Sequence, residues 1–235
     1  MDREELRRRP IARHGPWPDR RRAQIAYYCG EQRSTERIAQ RLFGRSLDSW
    51  EYAGLAGAPD DARLEVGTLR GQLYFELREP TLHLYQAALR VCHTKQGPLL
   101  IDDGYRFLHP SMQGKHLGRH IFHRQLCYAK ALGVIGIETL ADRRADDNGY
   151  YTWPRFGFDG PLSTAIRRQL PAEIAAARSV LDLVESQNGR RWWRRYGVAI
   201  LVRFDLAENS RSWRVFLQYL CAEADSKATF HQGGC

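Results

Sequence analysis

Two glycines and two cations crowd the segment Phe107-Leu-His-Pro-Ser-Met-Gln-Gly-Lys-His-Leu-Gly-Arg, which joins an alternating apolar stretch to one with helical spacing. A loop of this kind, leaving a strand and entering a helix, presents the first N–H groups of that helix. Those donors have no partner inside the helix and stand at the positive end of its dipole, so the turn suits an anion such as a phosphate. Gly114 and Gly118 allow the anion to approach the backbone, and Lys115 and Arg119 add charge. The closing Gly-Lys-Ser/Thr of a Walker loop is missing, as is the Gly-x-Gly-x-x-Gly of a dinucleotide site. By glycine spacing alone the segment is also an ordinary tight turn.

Other side chains could do chemistry, each with a plainer alternative. His116 and His120 are an i, i+4 pair on a helix, and His120 and His123 an i, i+3 pair, but no His-Glu-x-x-His motif accompanies them. A solvent-facing helix surface is preferred to a metal site, and no metal is expected. Arg190-Arg-Trp-Trp-Arg-Arg mixes cations with aromatics as nucleic-acid and phosphate surfaces do, and a buried tryptophan pair flanked by surface arginines would read the same way. Trp17, Trp50 and Trp213 read as core or arm anchors. The five cysteines are scattered, with no pair at metal or redox spacing. Cys92, Cys127 and Cys221 lie in apolar surroundings, where a reduced thiol behaves as a small hydrophobe.

Several elements must position these groups. Residues 1–33 combine arginine clusters with Pro10, Pro16 and Pro18 and read as a basic arm, packed only from Ala23 to Cys29. Ser34 or Thr35 can cap a helix carrying Ile38, Leu42 and Phe43, and Leu47 to Leu55 a second. Between Leu64 and His109 the period falls towards two, predicting consecutive antiparallel strands with turns at Gly71, Glu79-Pro80 and Gln96-Gly97-Pro98. Leu117 to Leu132 reads as a helix closed by Gly133, and Val134 to Leu140 as a buried strand, so the centre is a strand, loop, helix, strand unit. Asp146 to Trp153 is a short helix, Pro171 to Val184 a strong one, Arg195 to Leu206 a strand, and Ser210 to Cys221 a last helix capped by Ser210. The tail from Asp225 is expected to fray.

With 43% hydrophobic and 27% charged residues over 235 positions, the chain can bury a sizeable core, and global disorder is excluded. The longest apolar run, Val198 to Val202, is far short of the roughly 18 to 20 residues of a membrane helix. The charged N-terminus has no apolar segment behind it, so a cytoplasmic protein is expected. The net charge of +9 is uneven: residues 1–45 hold twelve arginines against six acids, or +6 of it. Such an arm attracts nucleic acid, an acidic membrane surface or an acidic protein, or is simply solvated.

Set after an antiparallel meander, Leu108-His109-Pro110-Ser111-Met112-Gln113-Gly114-Lys115-His116-Leu117-Gly118 resembles the pyrophosphate loop of the GNAT acetyltransferase family, Val-x-Pro-x-x-Arg/Gln-x-x-Gly-x-Gly/Ala. His116 departs from it, standing where the family has a small residue. Ile135-Gly-Ile-Glu-Thr-Leu, followed by Asp146 to Phe158, is similar to the family's later strand and its Asn-x-x-Ala-x-x-x-Tyr-x-x-x-Gly-Phe region. Gly157-Phe158 aligns, Asp146 replaces the Asn, and Trp153 takes the place of the tyrosine that protonates the departing thiolate. The match covers Ser34 to Phe158.

The resemblance implies an α/β GNAT acyl-CoA N-acyltransferase fold, a mixed and mostly antiparallel sheet flanked by helices. Its divisions would be the arm at 1–33, a core at 34–162, a helical insertion at 163–189, a completing strand and helix at 190–224, and a flexible tail at 225–235. Acetyl-CoA as cosubstrate would lie on Phe107, Leu108, His109, Gln113, Gly114, Lys115, His116, Leu117, Gly118 and Arg119, its pantetheine between diverging strands. Glu138 is the first candidate for a general base and Asp103 the second, each alternatively a solvated or salt-bridged strand residue. Asp102 and Asp103 point to opposite faces. Tyr151 is the candidate acid or substrate-orienting hydroxyl, Tyr150 its alternative, and either could simply pack over the cleft. The acceptor would be a primary amine on aminoacyl-tRNA, a protein or a small molecule, and the basic balance favours an anionic macromolecule; a homodimer is compatible. Rival readings are a non-catalytic GNAT-like module binding nucleic acid or protein, and a toxin or effector acting on aminoacyl-tRNA.

Overall fold

Alternation at period two builds the first half of the molecule. Leu64, Val66, Leu73, Phe75, Leu77, Leu89, Val91 and Leu100 are all buried. Cross-strand register puts Val66 opposite Phe75, Phe75 opposite Leu89, and Val91 opposite Leu100. The computed structural model describes residues 24–28, 31–59, 62–78, 85–108, 117–143 and 148–231, and divides into two units, Met1–Ile135 and Gly136–Cys235. The division falls within the stretch 34–162 expected to form one core.

In the first unit β1 (Gln24–Tyr27) pairs parallel with β2 (Arg63–Leu69). Then β2, β3 (Gln72–Arg78), β4 (Tyr85–Thr94) and β5 (Gly97–Leu108) pair antiparallel in succession, giving the mixed, mostly antiparallel sheet expected. Arg70 and Gly71 both take positive φ, 51° and 76°, so the β2–β3 hairpin closes on a two-residue turn whose twist matches its strands.

Helices flank this sheet. α1 (Gln32–Phe43) buries Ile38, Ala39 and Leu42, and Gly44 ends it in the left-handed region. It begins ahead of the expected cap: Ser34 donates back to the Glu31 carbonyl at 2.9 Å, and Thr35 lies buried inside the helix. α2 (Ser49–Ala56) starts at a reciprocal cap between Asp48 and Glu51, and the buried Glu51 is held by Arg45 at 2.8 and 2.5 Å. α3 (Leu117–Ala131) packs on α2 through Tyr128, whose ring lies where a Cβ on Gly54 would be and 5.6 Å from the Trp50 ring.

The second unit is built on the antiparallel pair β6 (Gly136–Ala141) and β7 (Ile200–Asp205). Their buried face carries Ile137, Thr139 and Ala141 with Val202 and Phe204. Phe204 is ringed by Phe158 at 5.6 Å, Trp213 at 5.4 Å and Phe216 at 6.2 Å, aromatic pairs each worth about 0.5–1.5 kcal/mol beyond their burial. Trp213 and Phe216 come from α8 (Arg211–His231), which runs through the stretch expected to fray. A second cluster joins Leu162, Ile174, Val180, Leu181, Leu183, Val184 and Trp193. The remaining helices are α4 (Gly149–Arg155), α5 (Thr164–Arg167), α6 (Val180–Glu185) and α7 (Gln187–Tyr196).

Three expectations are corrected here. Pro171 to Val184 is not one helix: after the 3-10 turn Ala172–Ile174 the chain extends and pairs with Pro161 at Ser179, and a reciprocal cap of Ser179 and Asp182 starts α6 afresh. Arg195 is not in a strand, because α7 continues to Tyr196. Cys221, read from its apolar sequence neighbours as a small hydrophobe, is exposed, while Cys92 and Cys127 are half-buried.

Candidate active site

The site expected from the sequence begins at the end of β5. Against β4, Ala87 faces Arg106 and Leu89 faces Asp102, so one residue on β4 is matched by three on β5 and the strand bulges at Asp103-Gly104-Tyr105. Bulges leave main-chain groups outside the ladder and re-aim the strand, and they gather beside active sites. Beyond the bulge, Phe107 and Leu108 regain register with Gln86 and Tyr85. His109, Gln113, Gly114, Lys115 and His116 lie outside the described residues.

The chain is described again at Leu117, the first residue of α3. Gly118 follows, and a Cβ built there would meet nothing within 4 Å among the described residues, so its lack of a side chain answers no packing need of theirs. Open space at a helix start is what a diphosphate held by backbone N–H groups requires. Arg119 is only 9% exposed, so little of it reaches solvent.

What holds α3 in place was not apparent from the sequence. Arg124 donates to the Ala58 carbonyl at 2.7 Å and Gln125 to the Leu55 carbonyl at 3.1 Å, both side chains buried. The Leu55 carbonyl lies in the last turn of α2, where intrahelical partners run out, and that of Ala58 just beyond its Gly57 cap, where a cation is favoured. On the same helix His123 Nε2 lies 3.7 Å from Cys127 Sγ. Among the described residues no group of three His, Cys, Asp or Glu side chains could hold a metal ion, and no helix is long and apolar enough to cross a membrane.

The two acids at Asp102 and Asp103 face opposite ways. Asp102 is 3% exposed and ends the buried row that runs through Leu89. Asp103 is gripped by Arg90, whose Nε reaches its two oxygens at 2.8 and 2.7 Å and whose Nη2 reaches it at 2.5 Å; the same guanidinium donates to Gln72 at 2.9 Å. This hydrogen bonding raises the Arg90 pKa above its ordinary value. Asp103 therefore stands as the salt-bridged strand residue.

In the second unit Glu138 lies opposite Arg203, and their side chains meet at 3.5 Å. Tyr150 donates its hydroxyl to the Arg194 carbonyl at 3.0 Å, and the Arg143 guanidinium stands 4.9 Å from its ring centre. The Tyr151 ring has Arg155 at 5.5 Å and Arg194 at 5.6 Å, and its hydroxyl has no hydrogen bond among the described residues, so of the two tyrosines it keeps the available phenol. No hydrogen bond joins Glu138 to Tyr151. Trp153 packs its ring on Phe158 at 4.9 Å and Phe156 at 6.2 Å. Only one tryptophan of the Arg-Trp run is core: Trp193 is fully buried and donates to the Tyr150 carbonyl at 2.8 Å, while Trp192 is half-buried beside Tyr196. Arg90, Arg203 and Arg155 were missed in the sequence, and the place of Arg194 over Tyr151 with them, since each becomes a neighbour only through register or helix packing.

No family model and no curated protein matches the chain. Among solved structures it is similar to N-acetylglutamate synthase from Neisseria gonorrhoeae, in complex with coenzyme A and N-acetyl-glutamate, at 12% identity and a TM-score of 0.31 over 80% of this chain. The chain spans about a third, 35%, of that protein. It is also similar to a GNAT-family acetyltransferase from Staphylococcus aureus, at 8% identity and a TM-score of 0.31, over 77% of this chain and 96% of the other. Overlays at that score carry no weight for fold or chemistry, which rest on the strand register and the residues above.

Proposed function

We propose that the chain is a divergent GNAT-type N-acyltransferase that moves an acetyl group from acetyl-CoA to a primary amine by direct attack in a ternary complex. The observation that carries this reading is the bulged strand β5 leading to a helix whose second residue, Gly118, is bare and faces open space. The start of α3 would take the diphosphate, with Lys115 nearby in sequence. Main-chain groups freed at the bulge, or at Phe107 to His109, would hold the oxyanion.

In the reaction the amine nitrogen bonds to the thioester carbonyl carbon and the carbon–sulfur bond then breaks. Glu138, directly or through a water, would accept the proton lost by the ammonium. Tyr151 would donate to the departing thiolate, because Trp153, at the position of the family's tyrosine, has no acidic hydrogen and is packed among phenylalanines.

Titration of the protein with acetyl-CoA in a calorimeter tests this: micromolar affinity is expected. An absence of binding would leave the other reading, a non-catalytic module, which the core packing of Trp153 favours. Mixing with a panel of amines and following free thiol then tests turnover.

A further inference from the structure

Five arginines meet around α4 and α7 of the second unit, none of them paired with a carboxylate among the described residues. Arg143, Arg155, Arg191, Arg194 and Arg195 are all exposed, and none forms an ion pair among the described residues. Two other arginines of the unit are neutralised, Arg203 by Glu138 and Arg211 by Asp159, Asp182 and Glu185, while Arg178 and Arg190 cap main-chain carbonyls. Gathering like charges without acids costs stability.

Four of the five are instead spread over aromatic faces. Arg155 stands 5.5 Å from the Tyr151 ring and 5.1 Å from that of Tyr219, Arg194 is 5.6 Å from Tyr151, and Arg195 is 5.2 Å from Tyr196. Arg143 lies over Tyr150 at 4.9 Å and donates to the Arg195 carbonyl at 3.0 Å and to the Gly197 carbonyl. Guanidiniums on rings are held in orientation while their N–H edges stay open to phosphate oxygens. Next to them a groove of about 450 Å³ is walled by Trp192, Tyr196, Arg191 and Arg195; Glu173 is the acid on its wall and pairs with neither arginine. Trp192 and Tyr196 stand 5.4 Å apart, and Tyr196 is half exposed.

We propose that this surface binds single-stranded nucleic acid, with Arg155, Arg191, Arg194 and Arg195 on phosphates and Tyr196 and Trp192 stacking bases. Cations interleaved with accessible rings match a strand whose bases are unpaired. An acidic peptide has no planar base for the rings, and a duplex hides its bases. The inference does not rest on acyl transfer, since neither Gly118 nor Glu138 takes part in it, although Arg155 and Arg194 lie over Tyr151, the proposed acid.

Fluorescence anisotropy with the full chain and a labelled oligonucleotide of about 12 residues tests it, with RNA and DNA of one sequence as separate arms. Binding in either arm is expected to weaken with salt. Replacing three cations (Arg155→Gln, Arg194→Gln, Arg195→Gln) should weaken it tenfold or more and flatten the salt slope by about 2, since each phosphate contact on a single strand contributes about 0.7. Tyr196→Leu should lose on the order of tenfold with the slope unchanged, as a stacking contact would. Circular dichroism checks that these exposed changes leave the fold intact; the Tyr150 bond to residue 194 is to its main chain and survives. If the triple variant binds like the unaltered chain, the basic residues 1–33 hold the strand and the proposal is wrong. It is equally wrong if phosphatidylserine vesicles or a polyglutamate peptide bind and the oligonucleotides do not.

Discussion

Substituting Gly118→Leu sets folding and ligand binding in opposition. A side chain at this second residue of α3 would enter open space, so no steric cost to folding is expected. Leucine is a better helix former than glycine by nearly 1 kcal/mol in a helix interior, and about half of that is expected so near the end. For a chain this long the midpoint should rise by about 1–2 °C. The same side chain would stand between the backbone N–H groups and a diphosphate. Losing one hydrogen bond to a charged group costs about 1.5–3 kcal/mol, so the acetyl-CoA dissociation constant should rise by roughly ten- to a hundredfold. Thermal melting and calorimetry on the same preparation read both quantities. A variant that is more stable and binds acetyl-CoA as tightly as before would refute the placement of the diphosphate at this helix start.

Glu138→Gln should lower kcat about a hundredfold or more if the carboxylate accepts a proton; a change below twofold in steady-state kinetics would leave it as the partner of Arg203 alone, a half-exposed pair of small worth. Trp193→Ala empties a fully buried site and strips a donor from the Tyr150 carbonyl, so denaturant unfolding should show a loss of about 3–5 kcal/mol. Gly54→Ala puts a methyl group into the Tyr128 ring and should cost about 1–3 kcal/mol by the same measurement. The Asp182 carboxyl works against its partial burial, but hydrogen bonds from the Arg178 N–H, Arg211 and the Ser179 N–H hold its pKa below the ordinary value. A depressed carboxyl stabilises the fold above its unfolded pKa and loses that contribution as pH falls through the folded one. The stability gap between the parent chain and Asp182→Asn should therefore be full at neutral pH and close as pH falls below the ordinary aspartate range.

The sheet of the first unit was legible because its strands alternate without a break, from Leu73, Phe75 and Leu77 to Leu89 and Val91, and because glycine marks the hairpin at Arg70-Gly71. α3 was legible through its apolar spacing, with Gly133 at its end. Helical spacing misled at Pro171 to Val184, where Ile174, Leu181 and Val184 do fall on one side but the Ser179 and Asp182 cap begins a new helix. Reading that cap needed the pairing of Ser179 with Pro161, a contact from outside the segment. Around the candidate site, the types and positions of Glu138, Tyr151 and Asp103 were visible, but their environments were not. Strand register brings Arg203 to Glu138 and Arg90 to Asp103, and helix packing brings Arg155 and Arg194 to one tyrosine. Long-range pairing of this kind leaves no local trace in composition or period.

Of the six tryptophans, four (Trp153, Trp192, Trp193 and Trp213) belong to the second unit, and Trp193 is sealed from water with its indole N–H engaged. Intrinsic emission is therefore weighted towards that half: a red shift on heating would report solvent reaching Trp193 and its neighbours, while melting of the first unit would change the spectrum little. Iodide reaches surface indoles, and Trp192 is half-buried as Trp50, Trp153 and Trp213 are, so an oligonucleotide lying over its ring would register, without any label, as a partial loss of quenching that Trp192→Phe should abolish.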